Sequence, residues 1–252
     1  MSLEACAALV EKADPERFRA VMSVAPEARA VLFPIFAFGV EISRAPWVTQ
    51  EPLIAEMRLQ WWRDALEEIA AGGAVRGHEV TQALQRVLDA EGARLLDRAV
   101  AARRWDIHAE PFEDAADFDA YIEETSAGPL WVAARALGSS DEAAVRRAGW
   151  GIGLARFLAA VPELEARGRV PLIDGRPEAV AGLARRGLAA LSEGRAARDP
   201  GAVAALRSGW CAAPMLARAA QNPGAVARGE LAVGPLASSL RLAWVSARGS
   251  WG

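Results

Sequence analysis

The sequence predicts an all-α protein, and three observations carry that expectation. Alanine, leucine, arginine and glutamate dominate, and all four favour helix. Runs that alternate Val, Ile or Thr with polar residues, the mark of a half-buried strand, are almost absent. Turn formers fall between the periodic stretches: Pro26, Pro111, Gly138 with Ser139, Pro162, Pro200 and Pro223 punctuate the chain. The 252 residues, 52% of them hydrophobic, are enough for one large core, and no boundary or internal repeat is visible, so a single domain over 1–252 is expected.

Taken in order, helices are expected at 15–24 and 27–44, the second bent just before Phe36 because Pro34 removes a backbone donor and crowds the preceding turn. The next runs from Pro52 over 53–69 and stops near Gly72-Gly73. In it Leu53, Met57, Trp61 and Ala65 recur every four residues, flanked by Ile54 and Leu66, and this stripe is expected to face the core. Further helices follow at 78–90, 91–105, 114–137, 141–161, 177–193, 200–221 and 231–247. Gly168 to Pro177 reads as the most loop-like interior segment.

Net charge is −3, unevenly spread: 17 basic and 27 acidic side chains through residue 165, then 12 basic and 5 acidic. The basic C-terminal third suits either a solvated helix face or an acidic partner or membrane surface. An acidic chain without a basic stripe interleaved with aromatics gives no support for nucleic-acid binding. Cys6 and Cys211 stand far apart, so neither a disulfide framework nor a paired-cysteine metal site follows, and both read as buried small hydrophobes. No uncharged apolar run reaches the roughly 18 residues of a membrane span, and Met1 to Glu4 show no secretory pattern. The expected location is cytoplasmic, with at most peripheral contact at the inner membrane.

Catalytic motifs are scarce. His78 and His108 are the only histidines; each sits near a helix start or loop, with no nucleophile or metal-ligand spacing beside it, and suits capping or surface roles. Gly149-Trp150-Gly151-Ile152-Gly153 resembles a phosphate loop superficially, but no strand precedes it; these glycines suit close approach of two helices. Of nine tryptophans, Trp61, Trp62, Trp105, Trp131, Trp150 and Trp210 fall within expected helices and read as core or pocket wall. Trp244 and Trp251, near Arg241 and Arg248, make an aromatic-basic end that suits a bilayer interface or a docked terminal helix.

Two segments, Phe36-Ala37-Phe38 and the run Arg58-Leu59-Gln60-Trp61-Trp62-Arg63-Asp64-Ala65-Leu66, resemble the squalene/phytoene synthase family. The similarity continues through Arg17-Phe18, His78-Glu79-Val80, Phe118 to Tyr121 with Thr125 to Gly128, and Gly149 to Leu172. It implies an isoprenoid-synthase-like helical bundle around a central cavity. In active members, two aspartate-rich motifs on facing helices hold magnesium against substrate diphosphates, since a strongly negative leaving group needs hard cations held by several carboxylates. Here the matching positions are Ser43, Arg44 and Trp47 in the first motif and Ala160 and Leu164 in the second, with Arg156 and Gly153 where the family has asparagine and glutamine. Only Glu163, and Glu41 off the motif positions, remain nearby. No metal site and no cofactor are therefore expected; magnesium enters only if the chain is a divergent synthase.

Arg44 and Arg156 place positive charge where metal would sit. Two outcomes stay open: they bind an anionic head group or pyrophosphate, or they pair with Glu41 and Glu163 and close the cavity. Glu41-Ile42-Ser43-Arg44, Glu51-Pro52 and Arg58 to Leu66 resemble most closely a subgroup without the aspartates, the mitochondrial complex I assembly factor with a phytoene-synthase-like domain and its bacterial relatives. That resemblance implies a non-catalytic binding or assembly protein with a partner in NADH dehydrogenase biogenesis. The alternatives are a prenyl diphosphate transferase and a lipid- or isoprenoid-binding module with Phe36, Phe38 and Trp61 as wall residues.

Overall fold

Side-chain caps and first-turn prolines set most of the helix starts. Carboxylates of Asp14, Asp89, Asp114, Asp141 and Asp199 accept hydrogen bonds from backbone amides two or three residues on, and the His78 imidazole accepts one from the Val80 amide at 3.2 Å. Prolines open six helices, where a missing N–H costs nothing. The computed structural model describes residues 2–108 and 110–252. Among them the helices are α1 (Ser2–Ala13), α2 (Pro15–Met22), α3 (Pro26–Arg44), α4 (Pro52–Ala70), α5 (Glu79–Leu84), α6 (Ala90–Ala102) and α7 (Ala115–Ile122). They continue with α8 (Gly128–Ala136), α9 (Glu142–Ala166), α10 (Pro177–Glu193), α11 (Pro200–Leu206), α12 (Ala212–Gln221), α13 (Gly224–Ala227) and α14 (Pro235–Ala247). No strand occurs among the described residues, so the all-α expectation holds.

Helix α9 is the hub. It packs against α10, α8, α12 and the turn that joins α7 to α8, while α3 lies against α1, α5 and α8, and α4 against α6. One core runs from Cys6 to Trp251, and a smaller cluster of Ala20, Trp210, Cys211, Leu242 and Val245 seats α14. Both cysteines are buried and unpaired. The glycines of α9 allow its close packing: a Cβ at Gly149 would stand 2.8 Å from the Ala127 Cα, and one at Gly153 would stand 2.5 Å from the Ser126 Cβ. Their expected role as close-approach positions is met.

Several boundaries differ from the sequence expectation. Helix α1 was not anticipated. The span 114–137 is two helices around a wide π turn, Glu123–Ala127, and 200–221 is divided by a 3₁₀ turn, Arg207–Gly209. As expected, Pro34 lies inside helix α3. Pro162, expected to end α9, is passed over, because buried Leu158 and Val161 before it and half-buried Leu164 after it hold the helix to the core and outweigh one lost backbone bond.

The register of α4 is also corrected. Its buried face is Ala55, Leu59, Trp62, Ala65, Leu66 and Ile69, whereas Leu53 is 73% and Met57 64% exposed. Both stripes have helical spacing, and Trp62 decides between them by packing edge-on against Phe38 with ring centroids 5.5 Å apart. Pro26–Trp47 is long and apolar enough by composition to cross a membrane, yet Leu32 to Phe38 are buried in the core.

Candidate functional site

A cavity of about 720 Å³ opens between the α1–α2 corner, the C-terminal half of α3, the α7–π-turn segment and α9. Both degenerate motif segments face it: Ser43, Arg44 and Trp47 from α3 and the 3₁₀ turn Ala45–Trp47, and Arg156, Ala160, Glu163 and Leu164 from α9. Helical spacing explains the second set, since positions 156, 160, 163 and 164 share one face.

The cavity is cationic. Its wall carries Lys12, Arg17, Arg44, Arg103, Arg156 and Arg167 against three carboxylates, Asp14, Asp106 and Glu163. Each of those carboxylates is already engaged. Asp14 accepts from Arg156 at 2.7 Å and lies 3.4 Å from Arg17. Asp106, buried, accepts from Arg103 and from the Tyr121 hydroxyl, both at 3.0 Å, and Arg103 also donates to that hydroxyl at 2.8 Å. Glu163 accepts from Arg167, one turn on and just past the end of α9. Arg44 is exposed and makes no ion pair among the described residues. The Ser43 hydroxyl turns back to donate to the Val40 carbonyl at 2.9 Å. The Trp47 indole lies beneath two guanidinium groups, Arg167 at 4.5 Å and Arg169 at 5.2 Å.

Burial shapes the protonation of this wall. It pushes the Tyr121 phenol above its ordinary range, so the hydroxyl stays a donor. It also lowers Arg17, helped by the neighbouring positive charge of Arg156, to about 9, which leaves a cation at neutral pH. The Arg17 guanidinium sits over the Phe36 ring at 4.8 Å. Two buried guanidinium nitrogens of the wall, Nε of Arg17 and Nε of Arg103, make no hydrogen bond among the described residues, the first lying 3.4 Å from an Asp14 carboxylate oxygen. Unanswered donors inside a cation-rich pocket are complementary to an anion.

The donor set does not fit a magnesium cluster. Such a cluster needs several free carboxylates converging on one point, and these three are separately held by arginines. Among the described residues no group of three or more His, Cys, Asp or Glu side chains is placed to hold a metal ion.

Of the residues singled out from sequence, Ser43, Arg44, Trp47, Arg156, Ala160, Glu163, Leu164 and Phe36 meet at the cavity. Three do not. Glu41 is outside the wall and pairs with neither arginine, Phe38 is buried against Trp62, and Trp61 packs on Trp62 and His78 beneath Arg76. Expected ion pairs between Arg44 or Arg156 and Glu41 or Glu163 are replaced by Arg156–Asp14 and Arg167–Glu163. Sequence reasoning missed Asp14, Arg17, Arg103, Asp106 and Tyr121 as a polar lining. Asp14-Pro15 is legible as a helix cap, but nothing local says that the carboxylate also reaches α9.

A sequence model of the family described as squalene/phytoene synthase matches residues 10–174. Among curated proteins, the chain is 30% identical over 177 residues to the NADH dehydrogenase (ubiquinone) complex I assembly factor 6 homolog of Drosophila melanogaster, covering 67% of this chain and 53% of that protein. It is 25% and 24% identical over 181 residues to complex I assembly factor 6 of Bos taurus and Homo sapiens, covering 66% of this chain and 51% of each. The chain thus spans about half the length of these relatives. Among solved structures, a dehydrosqualene synthase in complex with ligand superposes with a TM-score of 0.80 at 12% identity, over 98% of this chain and 96% of that one. The squalene synthase HpnC from Alicyclobacillus acidocaldarius gives 0.63 at 17%, over 98% and 94%. These two similarities establish the fold, an isoprenoid-synthase-like helical bundle. With most of the matched span folding around the cavity just described, the chain belongs to the squalene/phytoene synthase family.

Proposed function

We propose that this chain is a non-catalytic member of its family that serves assembly of a respiratory NADH dehydrogenase at the inner face of the membrane, and that its cavity holds an anion-headed apolar molecule by arginine in place of metal. The carrying observation is the wall itself: the motif positions present Ser43, Trp47, Ala160 and Leu164, and six cationic side chains stand against three already paired carboxylates. Ionising an allylic diphosphate in a low-dielectric pocket requires a divalent cation cluster, and these residues offer no ligands for one. The relatives named as complex I assembly factors support the assembly role.

The deciding experiment incubates the purified protein with farnesyl or geranylgeranyl diphosphate and magnesium; no prenyl product above background is expected. In the organism that encodes it, deletion is expected to lower NADH:quinone oxidoreductase activity in isolated membranes, restored by the wild-type gene. A second reading, a divergent prenyl diphosphate transferase, draws on the retained cavity volume of about 720 Å³. Product formation in the same incubation would establish it and remove the first.

A further inference from the structure

Helix α14 is apolar on two opposite sides. Its inner side, Ser238, Leu242 and Val245, is buried against Ala20, Trp210 and Cys211. Its outer side carries Leu236, Leu240 and Trp244, four residues apart along one face and 75%, 65% and 50% exposed. Ala237, Ala243 and Ala247 lie beside them, also exposed. A helix hydrophobic all round is stable when both faces are covered, and this fold covers one. The docking of the inner face is reinforced by polar ties: Arg19 donates to Ser239 at 2.7 Å, Arg207 to Ser246 at 2.7 Å, and Arg241 to the Trp210 carbonyl at 2.6 Å. The outer stripe is therefore fixed in position on a well-seated helix.

Charge identifies what fits that stripe. Residues 231–252 contain Arg241 and Arg248 and no acidic side chain. At the C-terminal end of the stripe the Arg248 guanidinium covers the Trp244 ring at 4.8 Å, which pairs an amphipathic ring with a cation at the level where headgroups meet acyl chains. A second copy docked through the same face would bring like charges together, whereas an anionic headgroup layer complements them. We propose that the outer face of α14 is an interfacial membrane-docking surface, with Leu236, Leu240 and Trp244 entering the bilayer boundary and Arg248 meeting anionic headgroups. This surface stands on observations separate from those that carry the cavity reading.

The test is sedimentation of the full chain with vesicles of phosphatidylcholine alone and of phosphatidylcholine with phosphatidylglycerol. Binding to the anionic vesicles, weakened by salt, is expected. Leu240→Glu should lower that partitioning by about ten-fold or more, since it removes an inserted apolar group and adds like charge, with thermal stability unchanged because the side chain is exposed. Met57→Glu, at an equally exposed apolar position on α4, should leave binding intact. Lipids brominated in the upper acyl chain should quench the fluorescence of the wild type more than that of Trp244→Phe. Failure of the wild type to bind anionic vesicles overturns the proposal. So does undiminished binding of Leu240→Glu, or a Leu240→Glu effect confined to oligomeric mass.

Discussion

Asp14 and Arg156 stand 142 positions apart in sequence and 2.7 Å apart in space, so the cap of α2 is also the anchor of the α9 guanidinium at the cavity. One carboxylate thereby joins three jobs: it starts a helix, neutralises a partly buried cation and ties the N-terminal corner to the hub helix.

Asp14→Ala should therefore cost about 2 kcal/mol, from a lost cap of about 1 kcal/mol and a partly exposed ion pair left without its anion. Urea denaturation monitored by circular dichroism measures it. A cost within about 0.5 kcal/mol would place the pair among surface contacts of little energetic consequence.

Acid should erase that difference. Burial pushes the Asp14 carboxyl up, but the Arg156 and Arg17 guanidinium groups and their hydrogen bonds prevail and hold it well below the usual carboxylate range. A carboxyl depressed by folding contributes its stabilisation in full above the unfolded value, about 3.9, and loses it as pH falls toward the folded value. Across that window the unfolded chain binds the extra proton, so stability rises with pH. The gap between wild type and Asp14→Asn is expected to shrink from about pH 5 to about pH 2, as read from denaturation midpoints.

Arg44 offers the cleanest probe of anion binding, being exposed and free of an ion pair among the described residues. Inorganic pyrophosphate should raise the melting temperature of the wild type equally with and without a chelator. Arg44→Ala should weaken its binding about ten-fold, the value of one charge-assisted hydrogen bond. Calorimetric titration supplies the constants, and dependence on added magnesium would contradict an arginine-based site.

Glycine substitutions should separate close packing from helix propensity. Gly149→Ala drives a methyl into the Ala127 backbone and is expected to destabilise by about 1–3 kcal/mol. Gly182→Ala, in α10 with only the far end of Arg185 within 4 Å, should stabilise by up to about 1 kcal/mol. Thermal denaturation of the two variants gives opposite signs if the packing is as described.

Cys6 and Cys211 should be inert toward a chromogenic disulfide reagent in the folded protein. Burial pushes both thiols up to about 11, with Glu79 adding to the effect at Cys6 and Glu16 at Cys211. Two equivalents should react once denaturant is added, and prompt labelling of the native chain would show that one of these sites opens.

The fold class was legible because helix formers and punctuation agree along most of the chain, and the cap residues His78, Asp14 and Asp199 stand where local rules put them. The α4 register was not, because Leu53, Met57 and Trp61 are as helically spaced as Leu59, Trp62 and Leu66, and only the position of Phe38 on α3 selects the second stripe. Of the site, the motif positions from Ser43 to Leu164 were legible as two segments of similarity. The polar lining was not: Asp14, Arg103, Asp106 and Tyr121 meet through contacts up to 142 residues apart, which no periodicity encodes.

The seat of Trp47 has a consequence for the reversibility of this design. An aspartate placed there alone would inherit the two cations that now cover the indole, Arg167 and Arg169, and would form salt bridges with them. Conversion to a metal-handling protein is therefore epistatic: the segment after α9 must surrender its arginines before any carboxylate at position 47 becomes free to coordinate, so no single-step path leads there.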